Sequence, residues 1–226
     1  REQIATAARK LFLELGYAGT SMDAVSARAG VSKQTLYTYF PTKVDLFLAV
    51  WNGEHQLGPD GAGAVGYGLA CMELEAGDSG IRSLVSVHGA LVMDAVRRYG
   101  STEQHQRWLP VLGTGEAVGC FALTEPDHGS DPASLVTNAR RDGGDWRITG
   151  VKTWITNAPD ADLAVIWARA EGQIRGFLVE LTAPGVTVNE IRDKLSLRAA
   201  STGQIVLDRV RVPAGALLDG AVGLRA

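Results

Sequence analysis

Two segments within residues 119–157 decide how this chain folds. The first is Gly119-Cys-Phe-Ala-Leu-Thr-Glu-Pro-Asp-His-Gly-Ser-Asp-Pro132, and the second is Lys152-Thr-Trp-Ile-Thr-Asn157. The apolar residues 118–123 predict a strand that runs into a loop, and the second segment predicts another strand. A strand, a polar loop and a second strand are therefore expected next to each other.

The loop after the first strand carries groups that suit an anion. Pro126 and Pro132 prevent a helix from crossing it, and Thr124, Gly129 and Ser130 lie within it. The glycine lets a partner approach the backbone closely, and the serine hydroxyl and loop amides can donate to a phosphate. Loops of this composition are also common without any ligand.

The second segment places an aromatic ring beside a hydroxyl. Trp154 and Thr156 are two residues apart in the predicted strand and therefore share a face. This pair suits a planar ligand that is apolar on its face and polar at its rim, such as an isoalloxazine ring. The alternative is an ordinary strand–loop–strand unit whose tryptophan belongs to the core.

Further short strands surround these two segments. They are predicted at residues 136–141, 146–155, 163–168, 177–181, 186–191 and 204–212. Asp142-Gly143-Gly144 joins the first two of them as a hairpin signal. Short strands at this spacing predict an antiparallel sandwich or barrel.

The region before the strands is helical, with a break marked by charged residues. Gly77-Asp-Ser-Gly80 divides the apolar periodicity into two helices, and Ser101-Thr-Glu-Gln104 is a capping box that opens a third. Glu75, Asp78 and Arg82 flank the break. A surface Asp78–Arg82 pair one helical turn apart is the plain explanation for these charges.

The first 51 residues have a different pattern. Three short helices are predicted, over residues 4–16, 21–29 and 33–40, with Thr20 or Ser21 and then Ser32 as caps. This arrangement is typical of a helix-turn-helix, although a small helical bundle with a polar face is the alternative. Residues 52–68 are rich in glycine and predict a linker or a frayed helix start, with a domain boundary within residues 52–57 and a helical pattern from Val65 onwards.

Composition limits the class of protein. Hydrophobic residues make up 46% of the 226 residues and the net charge is −3, which argues against a wholly nucleic-acid-binding or membrane-binding chain. Cys71 and Cys120 form no disulfide or metal pattern, so no metal is expected. No apolar run is long enough to cross a bilayer, and a cytoplasmic location is the expectation.

The segments 119–132 and 152–157 resemble the flavin-binding middle domain of acyl-CoA dehydrogenases. Their sequences are most similar to the glutaryl-CoA dehydrogenase branch. The resemblance extends from about residue 57 and implies FAD as cofactor and an acyl-CoA as substrate. It assigns one set of residues to FAD and another to the far end of the acyl pocket, where the guanidinium of Arg82 holds a terminal carboxylate. The FAD residues are Leu123, Thr124, Gly129, Ser130, Trp154 and Thr156, and the pocket residues are Glu75, Arg82 and Ser83.

The same resemblance predicts what this chain does not supply. In the family the catalytic base is a glutamate on a C-terminal helical domain, which also forms one wall of the flavin site and much of the oligomer interface. No residue of this sequence matches that base, so no catalytic residue is assigned. The chain is expected to be an incomplete and inactive dehydrogenase, whereas the family is normally homo-oligomeric.

Residues 1–51 resemble the DNA-binding domain of TetR-type repressors. The two segments that carry this resemblance are Gly16-Tyr-Ala-Gly-Thr-Ser-Met-Asp-Ala-Val25 and Ala29-Gly-Val-Ser-Lys-Gln-Thr-Leu-Tyr-Thr-Tyr-Phe-Pro-Thr-Lys43. It implies base contacts and phosphate contacts with DNA. The expected base contacts are Lys33, Gln34 and Tyr37, and the expected phosphate contacts are Ser21, Thr35, Tyr39 and Lys43.

Together these patterns predict a multidomain α+β protein. A helix-turn-helix domain at residues 1–51 is followed by a partial helical domain at 57–117 and a flavin-binding β-domain at 118–220. The function predicted is an acyl-CoA dehydrogenase fused to a DNA-binding head. The alternatives are a TetR-type regulator with a dehydrogenase-like remnant and two neighbouring genes joined by a sequencing or assembly error.

Overall fold

The computed structural model describes residues 1–54 and 63–223 of the chain. The predicted domain boundary falls partly on residues 55–62, outside the described residues. Before these residues a helix continues to Glu54, and after them a helix begins at Gly63. Residues 63–68 are therefore helix rather than linker, and the helical pattern predicted from Val65 is confirmed.

The N-terminal head consists of four helices. They are α1 (Glu2–Gly19), α2 (Met22–Ala29), α3 (Lys33–Tyr39) and α4 (Lys43–Glu54). The first helix is kinked at Gly16, where φ is 70° and ψ is 172°, and it continues one turn beyond the predicted end. Ser21 and Ser32 cap α2 and α3 as predicted, each accepting a bond of 3.1 Å from a backbone amide.

The fourth helix of the head was not predicted, although its start carries a local signal. The Thr42 amide donates to the Asp45 carboxylate over 2.7 Å, and the Asp45 amide donates to the Thr42 hydroxyl over 3.1 Å. These two bonds satisfy free amides at the helix start reciprocally, as in a capping box.

A second group of helices follows. It comprises α5 (Gly63–Gly77), α6 (Ser79–Val85), a π-helix (Ser86–Met93), α7 (Asp94–Tyr99) and α8 (Thr102–Gly113). The break at residues 77–80 is confirmed, and Asp78 caps α6 by accepting from the Gly80 and Ile81 amides at 2.7 and 3.1 Å. The capping box of Ser101 and Gln104 is also confirmed at the start of α8.

Eight strands form one sheet in the described part of the chain. They are β1 (Gly119–Ala122), β2 (Asn138–Asp142), β3 (Asp145–Thr156), β4 (Leu163–Ala170), β5 (Gln173–Glu180), β6 (Val186–Glu190), β7 (Thr202–Val212) and β8 (Leu217–Val222). Their order is β6-β7-β3-β2-β4-β5-β8, and β1 pairs with β4 beside this path. The α+β fold class is confirmed, but the sheet is open rather than a closed barrel.

The pairing also corrects the expectation of a purely antiparallel sheet. β1 pairs with β4 in parallel over Gly119–Ala122, and β2 pairs with β4 in parallel through Asn138 and Ala139. All other pairs are antiparallel. The two parallel partners contact successive lengths of β4, which brings the end of β1 towards the middle of the sheet.

Separate apolar clusters hold the parts together. One fills the inside of the sheet around Trp146, Ile148 and Phe177, and another joins α7, α8 and the sheet. A third forms the core of the head. The fourth, here named the junction cluster, joins the head to α5 and α6. It contains Phe12, Tyr17, Phe47, Tyr67, Ala70, Leu74, Ile81, Leu84 and Val85.

Candidate functional site

The loop between β1 and β2 is anchored by a buried ion pair. Lys152 is 0% exposed and Glu125 is 2% exposed, and the Lys152 ammonium lies 2.9 Å from a Glu125 carboxylate oxygen. The ammonium also donates to the Leu123 carbonyl over 3.0 Å. The two carboxylate oxygens of Glu125 accept from the amides of Val136 and Thr137 at 2.7 and 2.9 Å. One carboxylate therefore connects both ends of the loop to β3.

This pairing determines the protonation of Glu125. Burial raises its pKa, but hydrogen bonds from Thr137 and from the Val136 amide, together with the Lys152 ammonium, outweigh burial and lower the pKa to about 2. Burial also lowers the pKa of Lys152, and the charge of Glu125 opposes this change. Glu125 is thus a carboxylate that stays ionised at neutral pH and accepts hydrogen bonds.

The two motif segments are in direct contact. The Thr153 amide donates to the Thr124 carbonyl over 2.9 Å, so the loop and the second segment are held edge to edge. Leu123 and Thr124 are half-buried beside this bond, whereas Gly129 and Ser130 are exposed further along the loop. A Cβ atom at Gly129 would have no atom of the chain within 4 Å. The packing of the chain itself therefore leaves open space around this glycine.

Trp154 is not a core residue. Its side chain is 61% exposed, and its backbone has a positive φ of 59° at an irregularity in the pairing of β3 with β7. The next residue, Ile155, is buried, and Thr156 after it is half-buried. The tryptophan and the threonine thus lie on either side of a buried residue, and the shared face of the two side chains stays a prediction. A non-glycine residue in the left-handed region costs free energy and is typical of functional sites.

Two buried polar residues, His88 and Asn157, were not predicted as site residues from the sequence, and both bond to Gly119 at the start of β1. The Gly119 amide donates to Nδ1 of His88 over 3.0 Å, and Nε2 of His88 lies 3.0 Å from the Leu112 carbonyl. Nδ1 accepts a hydrogen bond from an amide, so the ring is the neutral tautomer with hydrogen on Nε2, and burial lowers its pKa. A histidine inside the apolar run of residues 84–92 was the available signal.

Asn157, the last residue of the second segment, joins the sheet to α6. Its side-chain amide donates to the Gly119 carbonyl over 3.2 Å and to the Leu84 carbonyl over 3.3 Å. Its backbone has a positive φ of 70°, and the residue is fully buried. Because Leu84 directly follows Ser83, this side chain fixes the loop site relative to the helix that carries the predicted pocket residues.

The predicted pocket residues meet at the break between α5 and α6. The Arg82 Nε donates to the Glu75 carboxylate over 2.6 Å, and the Ser79 hydroxyl donates to the other carboxylate oxygen over 2.5 Å. The predicted Asp78–Arg82 pair does not form, because Asp78 caps α6. Ser83 is half-buried on the same helix. The bond to Glu75 uses one of the five guanidinium donors of Arg82.

Charges and hydroxyls surround this pair. The hydrogen bond from Ser79 and then the pairing with Arg82 lower the pKa of Glu75, and Glu75 in turn raises the pKa of Arg82. Burial raises the pKa of Tyr67, which is hydrogen-bonded to Ser86 and Cys71. Arg82 therefore places a charged guanidinium at the edge of a partly buried group of polar side chains.

The predicted DNA contacts are mainly exposed residues of α3. On α3 only Leu36 is buried, and Lys33, Gln34, Thr35, Tyr37 and Tyr39 are all exposed. The ammonium of Lys33 lies 2.7 Å from the Asp23 carboxylate. The hydroxyl of Ser21 accepts the capping bond of α2. Lys43 is half-buried, and its ammonium lies 4.2 Å from the centre of the Tyr17 ring.

Two kinds of site are absent from residues 1–54 and 63–223. No group of three or more His, Cys, Asp or Glu in these residues is arranged to hold a metal ion. No helix in the same residues has the length and apolar character that crossing a membrane requires. Cys71 and Cys120 are free thiols, and burial raises the pKa of Cys120 to about 12.

Three stretches of the chain match family models. Residues 46–116 match the model described as "Acyl-CoA dehydrogenase, N-terminal domain", and residues 120–210 match "Acyl-CoA dehydrogenase, middle domain". Residues 4–50 match "Bacterial regulatory proteins, tetR family". The two matches to different families meet within α4.

Curated relatives and solved structures agree with these models. The mitochondrial short-chain specific acyl-CoA dehydrogenase of Bos taurus is 35% identical over 185 residues, which are 80% of this chain and 45% of that protein. A glutaryl-CoA dehydrogenase from Mycobacterium smegmatis in complex with FADH2 is 46% identical with a TM-score of 0.77, covering 99% of this chain and 56% of that one. An acyl-CoA dehydrogenase from Geobacillus kaustophilus is 32% identical with a TM-score of 0.70, covering 79% and 50%.

The chain spans about half the length of these relatives. Within that span, both family models and the fold agree with the resemblance of the two motif segments. From residue 46 to residue 210 the chain belongs to the acyl-CoA dehydrogenase family, and it carries a tetR-family segment before that.

Proposed function

We propose that residues 46–210 bind FAD and an acyl-CoA thioester as the first two parts of an acyl-CoA dehydrogenase. The observation that carries this proposal is the exposed Trp154, held with a positive φ beside Thr124 and Thr156 on a segment anchored by a buried ion pair. An aromatic ring that is costly to expose and is fixed in a strained backbone suits a planar partner.

The residues present fit a flavin on chemical grounds. Trp154 supplies an apolar face, Thr124 and Thr156 supply hydroxyls for a polar rim, and Gly129 and Ser130 supply open space and a donor for a phosphate. Leu123 extends the apolar side. When bound, the flavin would accept the hydride removed from the β-carbon of the thioester. Similar solved structures are complexes with FADH2 or FAD, from Mycobacterium smegmatis and Bacillus anthracis.

The substrate class follows from Arg82. Its guanidinium is aligned by Glu75, which Ser79 orients in turn, and Ser83 lies on the same helix. A fork with free donors grips a carboxylate in two places, so an acyl chain that ends in a carboxylate is the expected substrate. Two similar solved structures are glutaryl-CoA dehydrogenases from Mycobacterium smegmatis, which agrees with a glutaryl-like chain.

Neither of the conspicuous carboxylates at these sites suits the removal of the α-proton. Glu125 is buried, engaged by Lys152 and by two amides, and has a pKa of about 2. Glu75 is engaged by Arg82 and Ser79 at the carboxylate end of the pocket. A general base requires reach to the proton and a suitable pKa. We therefore expect neither carboxylate to act as the base in the turnover of glutaryl-CoA.

Titration with FAD tests the proposal. We expect binding in the micromolar range or weaker, because Trp154 remains 61% exposed and a ligand on its ring would stay partly open to solvent. Trp154→Ala should weaken binding at least five-fold, and Val222→Ala, at an exposed position on the edge strand β8, should leave it unchanged. Equal affinities of the wild type and Trp154→Ala would contradict the assignment of this site.

A second candidate function is DNA binding by residues 1–51. The supporting observation is that α3 presents its polar residues outwards while α1 and α4 pack on the rest of the chain. Lys33, Gln34 and Tyr37 would contact bases, with Ser21, Thr35, Tyr39 and Lys43 on phosphates. One helix-turn-helix contacts few phosphates, so binding should be weak and salt-sensitive. Fluorescence anisotropy at two salt concentrations, with Tyr37→Ala as the variant, tests this assignment.

These assignments divide the chain into three functional units. They are residues 1–51 for DNA, 57–117 for the acyl chain and 118–220 for the flavin. The division is a proposal, and limited proteolysis tests it: cuts should concentrate near residues 52–57 rather than inside α1 or the sheet.

A further inference from the structure

The head and the proposed acyl-CoA site share one apolar core. The junction cluster is buried at Phe47 of the head, Leu74 of α5 and Val85 of α6, which are 7%, 1% and 0% exposed. Leu74 directly precedes Glu75, and Val85 lies on the helix that carries Arg82. The two helices that supply the ion pair of the proposed pocket are therefore packed together with a residue of the head.

The head contributes three aromatic rings to this core. Phe12 and Tyr17 of α1 each meet Phe47 edge to face with ring centres 5.1 Å apart, and the rings of Phe12 and Tyr17 stack at 5.9 Å. Rings in these arrangements attract one another. α1 packs on α5 at the same place, where a Cβ atom at Gly16 would lie 3.8 Å from the Glu73 carboxylate. The rings therefore form one packed aromatic surface that lies against α5 and α6.

A second contact joins the head to the segment that leads into β1. The guanidinium of Arg1 pairs with the Glu116 carboxylate, and its central carbon lies 5.5 Å from the centre of the Phe40 ring. α4 also packs on α8. The side chains of Arg1 and Glu116 are 35% and 51% exposed, so their pair contributes little to stability. This contact lies outside the junction cluster and provides a matched control for it.

The position of the head on the rest of the chain has a counterpart in a solved dehydrogenase. The glutaryl-CoA dehydrogenase of Mycobacterium smegmatis superimposes on 99% of this chain with a TM-score of 0.77. A superposition of that extent includes nearly all of residues 4–50, the stretch that matches the tetR-family model. Helices of a dehydrogenase therefore lie where this chain has its head, a position that a segment attached only by a linker has no physical reason to take.

We propose that the head is a structural part of the acyl-CoA site and that Phe47 is a positioning residue for Arg82. The inference rests on the proposed function, because the carboxylate ligand of Arg82 is assigned there. Nε of Arg82, on α6, donates to Glu75, on α5, over 2.6 Å, so the direction of the guanidinium depends on how the two helices lie relative to each other. Phe47 packs with both helices, through Leu74 and Val85, and thereby fixes that relation.

Binding of a terminal carboxylate is the step most sensitive to this packing. A guanidinium holds a carboxylate with two N–H donors in one plane, so a small rotation of Arg82 breaks one of the two bonds. Removal of the Phe47 ring leaves a cavity beside Leu74 and Val85, into which the two helices can relax. The terminal carboxylate then loses its alignment, whereas the part of the thioester that glutaryl-CoA shares with butyryl-CoA does not depend on the guanidinium.

The experiment measures the affinity of the full chain for glutaryl-CoA, butyryl-CoA and FAD by calorimetry. Phe47→Ala should weaken glutaryl-CoA binding about five-fold, a size typical of packed residues that act on a ligand without touching it, and should change the other two affinities less than about two-fold. The ratio of the two thioester affinities is the readout for positioning. A general loss of folded protein lowers all three affinities alike and leaves this ratio constant.

Two further variants locate the effect. Phe47→Leu keeps an apolar side chain in the junction cluster and should keep the thioester ratio within about two-fold of the wild type, because most of the volume stays filled. Arg1→Ala breaks the contact of the head with Glu116, outside the cluster, and should leave the ratio unchanged. Circular dichroism checks that every variant is folded.

Hydrogen exchange in the wild type tests the same inference without any substitution. Glutaryl-CoA should slow amide exchange in α4 and in the part of α1 around Tyr17, because a ligand that orders α5 and α6 also stabilises the rings packed on them. Butyryl-CoA should slow it less. Exchange in α3, which has no member in the junction cluster, should be the same with and without either ligand.

The outcomes separate this inference from the function on which it rests. Failure of glutaryl-CoA to bind the wild type contradicts the proposed function, and the inference with it. Binding by the wild type together with an unchanged thioester ratio in folded Phe47→Ala overturns the role of Phe47 and leaves the proposed function standing. If Phe47→Ala does not fold, the exchange measurement decides, and unaltered exchange in α1 and α4 overturns the inference.

Discussion

Two ion pairs near the proposed sites differ in burial, and the difference separates scaffold from binding surface. Glu125 and Lys152 are 2% and 0% exposed, and their remaining polar atoms bond to backbone groups. The side chains of Glu75 and Arg82 are 47% and 34% exposed and leave guanidinium donors for a ligand. A buried pair that also bonds to backbone groups positions a loop, whereas a half-exposed pair can exchange partners.

The largest difference should be seen when one member of the buried pair is removed. Lys152→Met leaves the Glu125 carboxylate without its cation inside the β-domain, and an unpaired buried charge typically costs about 3–5 kcal/mol. Urea unfolding followed by tryptophan fluorescence should show a loss of this size. The flavin loop should lose its anchor at the same time, so FAD binding should also fall.

A double variant shows whether the charge or the packing is responsible. In Lys152→Met with Glu125→Gln no charge remains buried, so part of the lost stability should return. A double variant that is less stable than Lys152→Met alone would mean that the hydrogen bonds of Glu125 to Val136 and Thr137 matter more than the charge.

The buried pair should also give the β-domain an acid-sensitive stability. The pKa of Glu125 falls from an ordinary value near 4.5 to about 2 on folding. Stability from this group is therefore complete above the unfolded pKa and is lost as pH falls from about 4.5 towards 2. Acid unfolding monitored by circular dichroism should be steeper in the wild type than in Glu125→Gln, and identical slopes would argue against the pairing.

The exposed pair should affect ligand choice more than stability. Arg82→Ala removes the fork that would hold a terminal carboxylate, so glutaryl-CoA binding should weaken about ten-fold, as expected for loss of a charge-assisted contact. Butyryl-CoA, measured in parallel by calorimetry, should change less than about two-fold. Equal losses for the two ligands would mean that Arg82 supports the pocket without binding the terminal carboxylate.

The smallest effect is expected from Glu75→Gln. Exposed ion pairs contribute about 0–1 kcal/mol, so the free energy of unfolding should change by less than about 1 kcal/mol. The glutamine keeps an acceptor for Ser79 but no longer aligns the guanidinium by charge. A loss as large as that of Lys152→Met would remove the contrast between the two pairs.

Local signals in the sequence predicted the helix ends and most strands. Ser21, Ser32 and Ser101 cap helices because their side chains reach amides only three residues away. The same local reasoning missed α4, although Thr42 and Asp45 form reciprocal bonds at its start. Local chemistry is visible in sequence when the spacing of a known motif is recognised.

Features that depend on distant contacts were not predictable from pattern. The parallel pairing of β1 and β2 with β4 joins strands that are far apart in sequence, and alternation is the same in parallel and antiparallel strands. The positive φ of Trp154 falls on a residue type that rarely adopts it, so composition gives no hint. The role of His88 depends on Leu112 and Gly119, which only the fold brings together.

The π-helix at Ser86–Met93 sets how far His88, beside β1, is rotated about the helix axis relative to Arg82 of the proposed acyl-CoA site. A residue adds about 100° of rotation to a helix, and a π segment accommodates extra chain in each turn. Its position between α6 and α7 rotates His88, Gly89 and Val92 inwards together, while α6 keeps Arg82 at the surface. Deleting a single residue there would restore ordinary helical spacing and turn His88 away from Gly119. The position of α6 relative to β1 would then change.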